Sequence, residues 1–159
     1  MIAPVGYETL AAPQSRRSYL KALAANGAGS HPRLIVKIEA MPAGVTPMRV
    51  AEITTYIRTR AKQVVMEMPR ADTALFEAGR LGLVGLSLRA PADTTAAAFA
   101  KSCQALVRSA AMQHASSFVD GIGDERIAAM AQAYQVQYAS GWAMQVCPFT
   151  PPAAEGPDH

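Results

Sequence analysis

Apolar positions along this chain follow two rhythms that alternate. Short runs, most of them β-branched or leucine-rich, read as strands: 34–38 (LIVKI), 64–68 (VVMEM), 83–88 (LVGLSL) and 115–119 (ASSFV). Breakers bound them: His31-Pro32 before the first, Pro69 and Pro91 after the next two, and Asp120-Gly121-Ile122-Gly123 after the fourth. Between the strands the apolar period lengthens to that of a helix. From Pro47 to about Lys62, Val50, Ile53, Ile57 and Ala61 form one stripe, while Arg49, Glu52, Arg58 and Arg60 take the other face. Thr46 is placed to cap this helix, and Pro47 loses nothing at its first position, where the missing donor would be unpaired anyway.

The same reading predicts a short helix over 72–80, stopping near Gly82. A long alanine-rich helix follows, capped by Asp93 and running to about Gln113, with Phe99, Cys103, Leu106, Val107 and Ala110 on one face. Asp124 is placed to cap a helix through Tyr134, and 136–139 is a short last strand. At the start, 2–7 reads as a strand and 15–25 as a helix stopped by Asn26-Gly27. Strands alternating with helices imply βα units, and near-continuous apolar strands imply a sheet buried on both faces. The expected fold class is therefore α/β: a parallel sheet of roughly five or six strands, with one domain over 1–147 and a Pro/Ala/Gly-rich tail over 148–159.

Composition narrows the function classes. Of 159 residues, 50% are hydrophobic and 17% charged, enough for a core and too apolar for a disordered chain. Lys+Arg of 15 against Asp+Glu of 12 gives +3, with the basic residues scattered; with aromatics at 6%, neither a phosphate-binding face nor a base-stacking platform for nucleic acid is expected. Cys103 and Cys147 are too few for a disulfide scaffold and read as buried thiols. His31, His114 and His159 stand too far apart for a helical zinc pair. No stretch of about 18 apolar residues is present, so no membrane span is expected, and MIAPVGYETL lacks the basic-then-apolar order of a secretory signal. The expected setting is a reducing cytoplasm.

Ligands of parallel α/β sheets gather at the carboxyl ends of the strands. The candidates there are Glu39, Glu67, Ser87, Arg89, Asp120 and Ser140. Three carboxylates on one rim suit a divalent cation, although neither a paired Asp-Asp nor a lysine or histidine stands among these candidates. The bland reading makes each a solvated cap or turn residue. Met41, Met48, Met66 and Met68 read as core filling rather than as an adaptable binding patch. Arg16-Arg17 with Lys21 reads as a solvated helix face rather than a phosphate contact. Trp142 either packs over the end of the barrel or covers a relict pocket.

The order LIVKIEAMPAG, helix, VVMEMP, short helix, LGLVGLSLR, long helix, SSFVDGIGDE, helix, VQYASGW resembles the EAL domain, the bacterial cyclic-di-GMP phosphodiesterase family with its TIM-like barrel. The resemblance spans about 1–150, with MIAPVGYETL standing where the family's asparagine-bearing strand lies; the strand carrying the Glu-Ala-Leu tripeptide would precede it. Glu39 matches the glutamate of the family's Thr-Glu, with Ile38 in place of threonine. Met66-Glu67-Met68-Pro69 stands at the Asp-Asp-Phe-Gly position, and Leu86-Ser87-Leu88-Arg89 at the Lys-x-Asp strand. Asp120-Gly121-Ile122-Gly123 replaces Glu-Gly-Val-Glu, and Ser140-Gly141 replaces Gln-Gly.

What the resemblance implies is an incomplete TIM-barrel-like scaffold whose metal-binding acid pair and catalytic lysine are gone. Two-metal hydrolysis needs several carboxylates around ions roughly 3.5–4 Å apart, and catalytic constellations act as units. The expectation is a non-catalytic domain without cofactor or metal, acting as a protein-interaction or regulatory module. Turnover-free binding of cyclic-di-GMP or another nucleotide is the second reading, and a metal enzyme built on Glu39, Glu67 and Asp120 the third. A closed barrel of this kind takes about 250 residues, so exposed sheet edges are expected. They would be met by strands of a longer parent, by a homodimer or protein partner, or by the chain's own ends.

Overall fold

The computed structural model describes residues 2–25, 34–68, 81–90 and 95–145. Six parallel strands form one sheet in strict sequence order: β1 (Ile2–Gly6), β2 (Ile35–Glu39), β3 (Gln63–Glu67), β4 (Gly85–Arg89), β5 (Ser116–Asp120) and β6 (Tyr138–Ala139). The helices are α1 (Tyr7–Ala11), α2 (Pro13–Ala25), α3 (Pro47–Arg58), α4 (Ala96–Gln113) and α5 (Glu125–Ala133), followed by a 3-10 turn over Trp142–Gln145. Crossovers between sequential parallel strands are as a rule right-handed, which carries their helices to one side of a sheet, and here α3 and α4 share one core with the strands. Such a sheet has a helix-covered outer face and an inner face that its own strands and side chains close off. The α/β class and the parallel βα arrangement expected from the sequence are what the structure shows.

The outer face is the core. Val36, Ile38, Val64, Met66, Leu86 and Val119 point outward, at 0–1% exposure, against Val50, Ile53 and Ile57 of α3 and Phe99, Cys103 and Leu106 of α4. Three of the four methionines singled out, Met41, Met66 and Met68, are buried with them; Met48 is 82% exposed. Cys103 is fully buried, and that burial pushes its thiol up to about 12. Cys147, His31, His159, the 72–80 helix, Asp93 and the 148–159 tail lie outside the described residues.

Capping chemistry sets several boundaries. Thr46 Oγ1 accepts from Arg49 N at 3.3 Å with Pro47 at the first position, and Asp124 accepts from Arg126 N at 2.6 Å. The cap of α4 is Thr95, whose hydroxyl accepts from Ala98 N at 3.3 Å. The end of α3 falls four residues earlier than its apolar stripe suggests, because Arg60 N and Ala61 N both close back on Ile57 O; Ala61 is still buried, outside the helix. His114 ends α4 in the left-handed conformation (φ 52°), so its backbone is part of a helix stop. The last strand is two residues rather than four for a visible reason. Ser117 N donates to Gln137 Oε1 and Gln137 N to Ser117 Oγ, both at 3.0 Å, so side chains take the place of ladder bonds.

Arg16 corrects the expectation of a solvated basic face. It is 7% exposed, donates to Leu10 O, pairs with Glu52 and lies 4.2 Å over the Tyr56 ring, while Arg17 and Lys21 are exposed. Among the described residues, no helix is long and apolar enough to cross a membrane.

Candidate functional site

Alternation along each strand puts a second set of residues on the inner face. Ile2, Ile35, Lys37, Val65, Ser87, Phe118 and Asp120 line a small, shallow trough there, open to solvent. Phe118 lies directly over Gly85, where a Cβ would overlap its ring, so glycine is what lets the aromatic fill the middle of this face. The ring also stacks on Tyr138 at 4.8 Å between centroids.

The charged groups sit at the carboxyl ends of the strands. Lys37 Nζ is 2.7 Å from Asp120 Oδ2 and 3.2 Å from Glu39 Oε1. On a flat sheet β2 and β5 would be three strand spacings apart, about 14 Å. An ion pair between their side chains therefore measures how far the sheet curls toward a barrel. Arg89 Nη2 reaches Glu39 at 3.1 Å and stands 3.6 Å from Glu67 Oε2, and Ser140 Oγ donates to Asp120 Oδ1 at 3.1 Å. Glu39, Glu67, Arg89, Asp120 and Ser140 thus meet in one network through two cations. Ser87 is fully buried beside it in the trough wall, and among the described residues its Oγ has no hydrogen-bond partner.

Lys37 is the residue the candidate set lacks. The six rim candidates include no lysine, and β2 brings Lys37 in beside them. Its signal lay in LIVKI itself, where an ammonium inside a strand buried on both faces demands a partner, and the alternation puts Lys37 on the same face as Glu39. Desolvation pulls the Lys37 pKa down, but the hydrogen bonds and charges of Asp120 and Glu39 together outweigh it and hold the group above the ordinary lysine value.

These donors do not fit the two-metal centre that the EAL resemblance implies. Among the described residues, no three His, Cys, Asp or Glu side chains are grouped as a metal site. The acids of the rim instead converge on an ammonium and a guanidinium belonging to the chain itself. Trp142 lies against Gly123, is 68% exposed, and is not part of the trough wall. Gly141 beside it, at φ 153°, has no room for a side chain, since a Cβ would overlap the backbone of Ile122.

Compared with protein-family models and with curated proteins, the chain matches none.

Proposed function

We propose that this chain is a non-catalytic, EAL-like domain that acts as a protein-interaction or regulatory module in bacterial signalling. The observation that supports this reading best is Lys37, whose ammonium bridges Asp120 and Glu39 at the carboxyl rim. In two-metal phosphodiester hydrolysis such carboxylates hold the ions. Here a metal would have to displace the lysine and then sit beside a like charge in a poorly solvated site.

Cyclic-di-GMP binding without turnover is the second reading. Against it stands the charge balance of the rim, where Lys37 and Arg89 face Glu39, Glu67 and Asp120 and are already paired with them. An anionic dinucleotide would meet one more carboxylate than cation. The interaction role draws on the sheet edges. Among the described residues β1 and β6 each have one neighbouring strand, and Ile2 and Tyr138 on them are 56% and 52% exposed.

Titration calorimetry with cyclic-di-GMP, with and without magnesium or manganese, tests the reading. The expected result is no heat and no linear dinucleotide. Heat without hydrolysis favours the binder, and linear product overturns the proposal. Light scattering behind size exclusion at micromolar protein is expected to show self-association, and a clean monomer that finds no partner would argue against the interaction role.

A further inference from the structure

We infer that the chain associates head to tail: the basic run over 58–62 at the amino end of one copy's sheet docks on Trp142 and the acids beside it at the carboxyl end of the next. The inference rests on the interaction reading and names its partner, a second copy of this chain.

The carboxyl end presents a fixed indole. Trp142, the chain's one tryptophan, is 68% exposed, although so large a ring is normally buried over most of its surface. The backbone around it is locked. Ala143 is fully buried and its N donates to Ile122 O at 3.2 Å, while Gly141 lies too close to the Ile122 backbone for any side chain. A Cβ on Gly123 would stand 3.0 Å from Trp142 Nε1, so the indole rests against that glycine. An aromatic held in place before binding makes a good interface anchor, because little freedom is lost when it is covered. Asp124 and Glu125 follow Gly123 at the start of α5. Both are exposed, and neither is in an ion pair among the described residues.

The amino end presents the complement. In RTRAK, where α3 gives way to β3, Arg58, Arg60 and Lys62 are all exposed, and none is in an ion pair among the described residues. Arg58 lies over Gly82, where a Cβ would stand 3.1 Å from Nη1. Leu81 N donates to Gln113 Oε1 at 2.9 Å, which brings Met112 and Val84, 43% and 38% exposed, to the same end. The segments gathered there, 58–62, 81–84 and 111–115, hold no acid. Arg58 also answers the carboxyl-terminal dipole of α3, but Arg60 and Lys62 lie past the end of that helix.

Guanidinium and ammonium groups are drawn to carboxylates and to the face of an indole, so each end asks for what the other carries. Parallel strands put the two ends on opposite sides of the sheet. One chain cannot bring them together, and two can. A lipid surface is the weaker fit, since Arg58, Arg60 and Lys62 fall short of the roughly four to eight basic residues that mark a lipid-binding segment. The contact is heterologous, so it repeats from copy to copy.

Sedimentation velocity of the full chain, from low to high micromolar protein, tests the inference. At low salt, species beyond the dimer are expected to grow with concentration and to disperse in molar salt, and the tryptophan emission should shift to the blue as they form. Arg60→Glu with Lys62→Glu, and Asp124→Asn with Glu125→Lys, should each weaken self-association about tenfold; asparagine keeps the cap of α5. Mixing these two double variants should restore association, because each keeps the end that the other has lost. Trp142→Ala, at an exposed position, should weaken self-association about thirtyfold while leaving the circular dichroism unchanged. A monomer at low salt, association that stops at two copies or ignores salt, a mixture no better than its components, or variants that associate like the parent overturns the inference. Variants that associate like the parent leave the interaction reading standing on the sheet edges, whereas a monomer leaves that reading only a foreign partner. A monomer that floats with phosphatidylserine vesicles would assign the basic run to a lipid surface instead.

Discussion

The two faces of one sheet are built from alternate residues of the same strands, yet they obey different physics. On β2, Val36 and Ile38 are fully buried among helices, while Lys37 between them is buried among charges. The outer face is held by dispersion and water exclusion, spread over many contacts. The inner face, which a closed barrel would fill with branched apolar side chains, has a trough below and an ion-pair network above. The outer face accounts for the fold. The inner face is where the chain spends stability on something other than folding, since a buried ion pair is commonly no more stabilising than an apolar pair of the same volume.

The largest expected effect tests the outer side. Phe99 on α4 is among the largest fully buried side chains, at 1% exposure. Phe99→Ala should cost about 3–5 kcal/mol, the transfer term plus the cavity left behind. Urea denaturation followed by circular dichroism would measure it. A loss below about 1 kcal/mol would mean that the outer face is not the close-packed core and that the contrast between the faces is false.

The next effect tests the inner side. Lys37→Met removes the ammonium and leaves Asp120 and Glu39 facing each other without it. Removing one partner of a buried pair costs about 3–5 kcal/mol, and because both carboxylates keep 29% of their side-chain surface exposed, about 2 kcal/mol is expected here. Adding Asp120→Leu should recover most of that, since the uncompensated acid goes with it. If the double variant is as unstable as the single one, Lys37 stabilises through its stem rather than its charge.

Alkali separates the two faces by their onset. The Cys103 thiol sits at about 12 when folded, against an ordinary value of 9.0. The unfolded chain therefore loses that proton first, and outer-face stability falls as pH rises from about 9 toward 12. Lys37 is raised above its ordinary 10.5, so its contribution is intact below that pH and disappears as pH rises through the folded value. Cys103→Ala should remove the earlier decline and Lys37→Met the later one, both read from denaturation midpoints between pH 8 and 12.

What the sequence made legible follows the same division. The outer face repeats a pattern, and a pattern can be read: Val50, Ile53 and Ile57 on α3, or Phe99, Cys103 and Leu106 on α4, announce their buried stripe by spacing alone. The rim candidates were legible too, because a βα unit fixes where strand ends go. What could not be read was the pairing. Lys37 meets Asp120 only because the sheet curls, and curvature is a property of all six strands together, not of any local run. The short β6 escaped for a related reason, since the exchange between Ser117 and Gln137 joins residues 20 apart in sequence. Arg16 looked like a surface cation until Glu52 and the Tyr56 ring, both on another helix, came into contact with it.

The smallest expected effect lies within the inner network. Arg89 pairs with Glu39 and stands near Glu67 much as Lys37 pairs with Asp120, but 55% of its side chain is exposed where Lys37 keeps 10%. Exposed ion pairs contribute little, because water and salt already solvate both partners and holding a long side chain in place costs entropy. Arg89→Gln should change stability by no more than about 0.5 kcal/mol, and the difference should vanish in molar salt, when measured against the parent by thermal unfolding at low and high ionic strength. Two cations on one rim, sharing Glu39, would then differ severalfold in what their removal costs. Should Arg89→Gln cost as much as Lys37→Met, the number of charges rather than their burial would govern the rim, and the distinction drawn between a desolvated inner lysine and a solvated arginine would have to be abandoned.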